Sequence, residues 1–304
     1  MSFEPGGALP SGGVRLPAAV LMSGTGSNAR RLLEYSPRAG GSPAFEIRLI
    51  LSDNPASNYR RIADEFGVAG RLNDIYRFCG VPDPLSPRAG EAASRTRLRD
   101  PALRRAFDAE NRRILEHYGV RLVAAAGYDW VISPELCQAL PIVNVHPGDL
   151  RVLDERGRRR YVGLGWIPTA KAILHGDAAV RSTTHFVTAE LDGGPIARVS
   201  RPVPVDLPPG VTPQNVLPAG TSLGEVIRDL REGGRVFGDT LIVTHSMKLQ
   251  ERLKEVGDWV ELPYTLHRVA ALILAGRIDL GDAGCLLLDG QPVPELFLQS
   301  EQEE

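Results

Sequence analysis

The succession at residues 16–33 constrains the fold more than any other feature. The apolar run Leu16–Met22 ends in Ser23-Gly24-Thr25-Gly26-Ser27-Asn28, and a helix-like stretch through Leu33 follows. Seven consecutive apolar residues are too few for a buried helix but suit a strand covered on both faces. A Gly-rich turn leading straight into a helix is the opening unit of a parallel sheet with helical crossovers. A second apolar stretch, residues 47–51, stops at Ser52-Asp53-Asn54-Pro55, and the charged amphipathic segment Tyr59–Phe66 comes next. The spacing therefore predicts β-α-β alternation.

The alternation continues. Residues 80–90 read as a Pro- and Gly-containing loop, and Pro101–His117 carries Leu103, Phe107, Ile114 and Leu115 at helical spacing among charges. An apolar strand at 122–126, a helix starting near Ser133-Pro134-Glu135 and a strand at 142–145 come next; the last delivers Asn144, His146 and Pro147. The polar, Arg-rich stretch 149–160 interrupts the pattern before a helix at 168–175 and a strand at 182–187. A Pro-rich segment at 202–218 precedes predicted helices near 223–232, 239–256 and 264–275. The organisation expected is a flexible N-terminus at residues 1–15 and one α/β domain over 16–304. That domain would carry an inserted polar loop near 149–160 and an extended helical part from about 205.

Composition narrows the function. A formal net charge of −2 supplies no field that would hold the chain on nucleic acid or an anionic membrane, so any anion site must be local. No apolar run is long enough to span a bilayer. Cys79, Cys137 and Cys285 are far apart and odd in number, which fits a reducing, cytoplasmic location.

Three constellations can carry chemistry. The loop Gly24-Thr25-Gly26-Ser27-Asn28 offers backbone N–H groups and a helix dipole to a phosphate or carboxylate. With Ala29 and Asp53 it also satisfies a relaxed dinucleotide fingerprint, and a plain tight turn has the same pattern. The second is Asn144-Val145-His146-Pro147-Gly148 at a strand end, where strand alternation puts Asn144 and His146 on one side. An amide beside an imidazole can stabilise a developing oxyanion, although a lone histidine at a strand end is more often structural. The third is Thr183-Thr184-His185-Phe186-Val187, running on to Asp192-Gly193-Gly194-Pro195, a turn that can supply a carboxylate to orient His146 and accept a proton.

Taken in order, SGTGSN, AGYDWVISP, NVHPGDL and THFVTAELDGGPI resemble the glycinamide ribonucleotide formyltransferase family, and the resemblance runs on into the closing segments Gly257-Asp258-Trp259 and Leu288-Asp289-Gly290-Gln291. It implies a Rossmann-like formyltransferase fold of class α/β, a mostly parallel twisted sheet with helices on both faces. It further implies formyl transfer from 10-formyltetrahydrofolate, as co-substrate, to the amine of a small phosphorylated acceptor, with no metal. By resemblance, Asn144, His146 and Asp192 are catalytic and His185 supports the site. Gly24, Thr25, Gly26, Ser27 and Asn28 take the substrate phosphate. Tyr128, Asp129, Trp130, Val131 and Ile132 line the folate pocket with Gly193 and Gly194.

The departures concern the acceptor. Asp129 and Trp130 stand where the family is commonly apolar or basic, and Asp258 where a glutamate commonly contacts the ribose. Arg156, Arg158, Arg159 and Arg160 lie in the insertion and could reach an anionic substrate, although such charge runs more often face water. The competing expectations are a formyltransferase for another amine, such as an amino sugar nucleotide, and a nucleotide-binding Rossmann module resting on Gly24, Gly26, Ala29 and Asp53.

Overall fold

A computed structural model describes residues 13–37, 40–83, 96–231, 236–281 and 285–293. Most of the predicted flexible N-terminus, much of the predicted 80–90 loop and the end of the predicted 223–232 helix lie outside the described residues.

The main sheet has seven strands in the order β3-β2-β1-β4-β5-β7-β8. These are β1 (Leu16–Met22), β2 (Phe45–Ser52), β3 (Ala69–Leu72), β4 (Leu122–Ala125), β5 (Ile142–His146), β7 (Thr183–Phe186) and β8 (Ile196–Val199). The short strands β6 (Ala179–Val180) and β9 (Val203–Pro204) pair with each other, and β10 (Ile278–Leu280), β11 (Leu286–Leu288) and β12 (Gln291–Pro292) form a small antiparallel sheet. Strands β1 to β5 are parallel, whereas β7 and β8 run antiparallel to their neighbours. The chain proceeds outward from β1 to β3 and then jumps back to β4. The strand order thus reverses between β1 and β4, the place where open α/β sheets leave a crevice at their carboxyl ends.

Period-two alternation loads both faces. Ala18, Val20 and Met22 join one apolar cluster with Leu32, Ile62, Leu266 and Val269, while Ala19 and Leu21 join another with Leu115 and Leu136. The first cluster is covered by α1 (Ser27–Leu33), α2 (Tyr59–Phe66) and the closing helix, the second by α4 (Pro101–His117) and α5 (Pro134–Ala139). Helix α4 starts as its sequence predicts: Asp100 caps the N–H groups of Ala102 and Leu103, and Pro101 fills the first position. The remaining helices are α3 (Ile75–Cys79), α6 (Ile167–His175), α7 (Leu223–Arg231), α8 (Leu241–Leu253) and α9 (Trp259–Leu274).

The structure differs from expectation in three places. Strands β3 and β8 carry no apolar run or clean alternation: β3 is an edge strand whose last two residues face solvent. The predicted break before residue 264 is absent, because α8 passes through a π-helical turn, Lys254–Asp258, directly into α9. That turn widens the hydrogen-bond ladder just ahead of Pro263, which lacks an N–H. The stretch 149–160 is a hairpin rather than an open loop. Asp154 accepts the N–H groups of Arg156 and Arg158, each at 2.9 Å, and Leu153 and Arg159 form an antiparallel bridge.

Candidate active site

Strand β5 divides its side chains by parity. Val143 and Val145 enter the apolar cluster beneath α9, so Asn144 and His146 face the other way. Strand β7 pairs antiparallel with β5 and sets His185 opposite Asn144 and Thr183 opposite His146. The polar groups so buried are satisfied across elements: Thr183 Oγ1 donates to the Gly148 carbonyl at 2.7 Å, and Thr184 and Thr265 hydroxyls meet at 2.9 Å.

Carbonyl partners fix both imidazole tautomers. His185 Nδ1 lies 2.9 Å from the Phe186 carbonyl, which only accepts, so Nδ1 carries the proton and Nε2 accepts from the Asn144 amide at 3.2 Å. Burial pushes His185 down to about 4 against the pull of Asp192, which leaves the ring neutral at physiological pH. His146 Nε2 donates to the Tyr161 carbonyl at 2.6 Å, which directs Nδ1 at Asp192 Oδ1, 3.5 Å away. That contact is longer than an ordinary hydrogen bond, so ring and carboxylate face each other without a closed hydrogen bond. Burial lowers the proton affinity of His146, and the Asp192 charge opposes that effect.

Asp192 is buried and left-handed, with φ 53°. The Gly163 N–H holds its Oδ2 at 3.1 Å, and His185 Nε2 is 3.8 Å from Oδ1. Gly194, two residues on, packs so tightly that a Cβ there would collide with the Phe186 carbonyl. The turn is thus pulled back over the sheet face that holds Asn144 and His146. Lys171, on α6, donates to the Val162 carbonyl at 2.6 Å and adds a partly buried cation; burial lowers its pKa and the Asp192 charge opposes this. A cavity of about 740 Å³ opens between the hairpin and this turn, lined by Arg159, Lys171, Glu190 and Gly193 among others.

The Gly-rich loop lies at the carboxyl end of β1, beside the strand-order reversal. The Ser23 N–H donates to the Gly127 carbonyl at 2.9 Å, and Asn58 ties Gly24 and Thr25. Gly26, at φ 76°, packs where a side chain would strike Ile62 and Met22. The first-turn N–H groups of α1, at Ser27 and Asn28, have no partner within the helix and point out of its N-terminus. Asn28 is buried beside Asp258, and its Oδ1 has no partner. The Asp258 carboxylate accepts from Ser182 Oγ at 2.5 Å and from the Asn28 amide; burial nonetheless pushes its pKa up to about 6.

Asp53 is not placed to read a ribose. It is 2% exposed, and its oxygens accept from Ser23 Oγ at 2.6 Å and Trp130 Nε1 at 2.5 Å. This removes the acid on which a dinucleotide-binding reading relied. Within the predicted folate-facing segment, Trp130 is committed to Asp53, Tyr128 has its hydroxyl 3.5 Å from Asn111, and Ile132 is core. Val131 is half exposed and Asp129 is exposed. Gly193 belongs to the Asp192 turn.

Asn144, His146, His185 and Asp192 therefore converge, Gly24 to Asn28 gather with Asp258, and Tyr128 to Ile132 leave β4 next to Ser23. Sequence reasoning missed Tyr161, Gly163, Lys171 and Ser182, which act through backbone groups or across long separations and carry no spacing signal. It also read Arg159 as solvated, whereas the bridge with Leu153 turns its guanidinium inward onto the Asp192 turn.

These features define a class: a Rossmann-like α/β protein with an Asn–His–Asp centre at the end of a sheet strand and a Gly-rich loop beside it. The formyl transferase family model matches residues 17–207, which span β1 to β9, and the chain belongs to that family. The chloroplastic phosphoribosylglycinamide formyltransferase of Arabidopsis thaliana is 30% identical over 189 residues, covering 60% of this chain and 53% of that protein. The chain thus spans about half the length of this relative. Among solved structures, phosphoribosylglycinamide formyltransferase from Coxiella burnetii superposes with a TM-score of 0.55 at 18% identity, covering 93% of this chain and 99% of that one. Glycinamide ribonucleotide transformylase 1 from Symbiobacterium toebii gives 0.54 at 23% identity, covering 94% and 99%. At these identities the likeness concerns the fold.

No helix among the described residues is long and apolar enough to cross a membrane, and no group of their His, Cys, Asp and Glu side chains could hold a metal ion.

Proposed function

We propose that the protein transfers a formyl group from 10-formyltetrahydrofolate to the amine of a small phosphorylated acceptor, glycinamide ribonucleotide in purine biosynthesis being the first candidate. The observation that carries this reading is the convergence of buried His146 and Asp192 beside the Asn144 amide. The folate supplies an activated formyl carbon. Transfer needs a donor for the charge that develops on the formyl oxygen and an acceptor for the proton the amine releases. Asn144 spends one amide hydrogen on His185 and keeps the other for that oxygen. His146 supplies a second donor when protonated, its 3.5 Å contact with Asp192 being of the kind that tightens when substrate binds. Asp192 then takes up the amine proton, directly or through a water; the formyl C–N10 bond breaks as the tetrahedral intermediate collapses, and tetrahydrofolate leaves with that proton on N10.

Neutral His185 orients Asn144 and adds no competing charge. Gly24 to Asn28 bind the acceptor phosphate at the N-terminus of α1, with Asp258 close to the ribose. The folate lies against residues 128–132 and the turn containing Gly193 and Gly194, where Val131 and Leu191 present exposed apolar surface. Three free cysteines fit a reducing compartment, and the cytoplasm is proposed.

Incubation of purified protein with 10-formyltetrahydrofolate and glycinamide ribonucleotide, with products identified by mass spectrometry, tests the reading. A formylated ribonucleotide is expected. Formylation of an amino sugar nucleotide instead would keep the chemistry and change the acceptor; absence of folate binding would sink both.

A further inference from the structure

We propose that the hairpin at residues 149–160 is a brace for the catalytic turn, and that Arg159 is the positioning residue through which it acts. Asp192 sits at φ 53°, a left-handed conformation uncommon for a residue with a Cβ, which its surroundings help to hold. The Arg159 guanidinium does so from the backbone side. Its Nη1 donates both to the Asp192 carbonyl and, at 2.9 Å, to the Gly194 carbonyl, clamping the two carbonyls that flank Gly193.

The same arm grips the centre twice more. Tyr161 offers its carbonyl to His146 Nε2, and Gly163 gives its N–H to Asp192 Oδ2. Residues 159, 161 and 163 thus address the site within five residues of chain, through a side chain, a carbonyl and an N–H. The hairpin supplies the anchor for that arm: Arg160 N–H donates to the Val152 carbonyl at 2.9 Å, Asp154 N–H to the Arg158 carbonyl at 2.7 Å, and Arg158 pairs with the Asp154 carboxylate. A planar guanidinium with five N–H groups can hold two carbonyls in a fixed relation, whereas an ammonium holds a contact without setting a plane. The Arg159 charge also lowers the proton affinity of His146 and His185. One arginine in the insertion therefore faces the chemistry, while Arg156 and Arg158 face solvent.

This inference rests on the reading of Asp192 as the group that accepts the amine proton. The test compares Arg159→Ala, Arg159→Lys and Arg156→Ala in the full chain by kcat and KM for formyl transfer, thermal melting, and ¹⁵N-edited NMR of the histidine rings. Arg159→Ala is expected to lower kcat by roughly 100-fold, the scale set by a misplaced catalytic group, with KM nearly unchanged. Its His146 and His185 ring signals should shift, guanidine added to the buffer should restore part of kcat, Arg159→Lys should fall between, and Arg156→Ala should match wild type. Unmoved ring signals in Arg159→Ala, or an unchanged kcat, would overturn the proposal. The ring signals keep the test independent: if wild type formylates no acceptor, the functional reading fails while the brace is still judged by the NMR shifts.

Discussion

The two halves of the main sheet are built on opposite principles. In β1, six of seven residues are fully buried and all seven are apolar, and the polar groups of that half, such as Ser23 and Asp53, sit at strand ends where they satisfy each other. In β7 all four residues are also buried, yet three of them are polar. The first half gains its stability from area removed from water, on the order of 25 cal/mol per Å² of apolar surface. In the second half, buried Thr, His and Asp groups are held mostly by partners on other elements, and an orphaned buried group costs about 1–3 kcal/mol. Such a half is poor at stabilising a fold and good at presenting prepositioned donors and acceptors. The β1 side serves as scaffold and the β5–β7 side as instrument.

That division can be broken by exchange of effects. The largest expected effect is on the β5 side: His146→Ala should lower kcat by roughly 10³-fold or more, measured by formyl-transfer kinetics, while the melting transition survives. Truncation on the β1 side should do the reverse. Leu21→Ala, at a fully buried position, should cost about 2–5 kcal/mol in denaturant unfolding and leave kcat per folded molecule unchanged.

A smaller effect sharpens the contrast through pH. Burial raises Asp258 from its ordinary 3.8 to about 6. Between those values the unfolded chain has given up the proton and the folded protein retains it, so folding binds protons there and stability falls as pH rises. Relative to Asp258→Asn, wild type should lose about 2 kcal/mol from pH 4 to pH 6 and then run parallel above it. Unfolding curves that stay parallel across the whole range would show that the Ser182 and Asn28 hydrogen bonds fully offset burial.

The same contrast explains what the sequence alone reveals. The β1 side is legible because hydrophobic runs and the Asp100-Pro101 helix start follow local rules. Asn144 and His146 are legible because strand parity puts them on one face, and Asp192 because a Gly-Gly-Pro turn follows it. The brace is not legible: whether Arg159 or Arg158 turns inward depends on the Leu153 bridge and the Asp154-centred turn, and its targets lie 33 and 35 residues away. Trp130 hides in the same way, since its partner Asp53 is 77 residues distant. The fused α8–α9 helix escapes because Gly257 and Pro263 are helix breakers by local propensity, and only the π turn accommodates them.

The proposed transfer depends on the Asp192 carboxylate beside His146 and Asn144, and Asp192→Asn tests that dependence most directly. Asparagine keeps the shape and tolerates a left-handed φ, so the turn should remain folded. Single-turnover kinetics of this variant beside wild type, with the melting temperature as control, should show formyl transfer reduced by roughly 10³-fold at unchanged stability. Transfer at the wild-type rate by a folded Asp192→Asn protein would contradict the claim and move the proton acceptor elsewhere in the site.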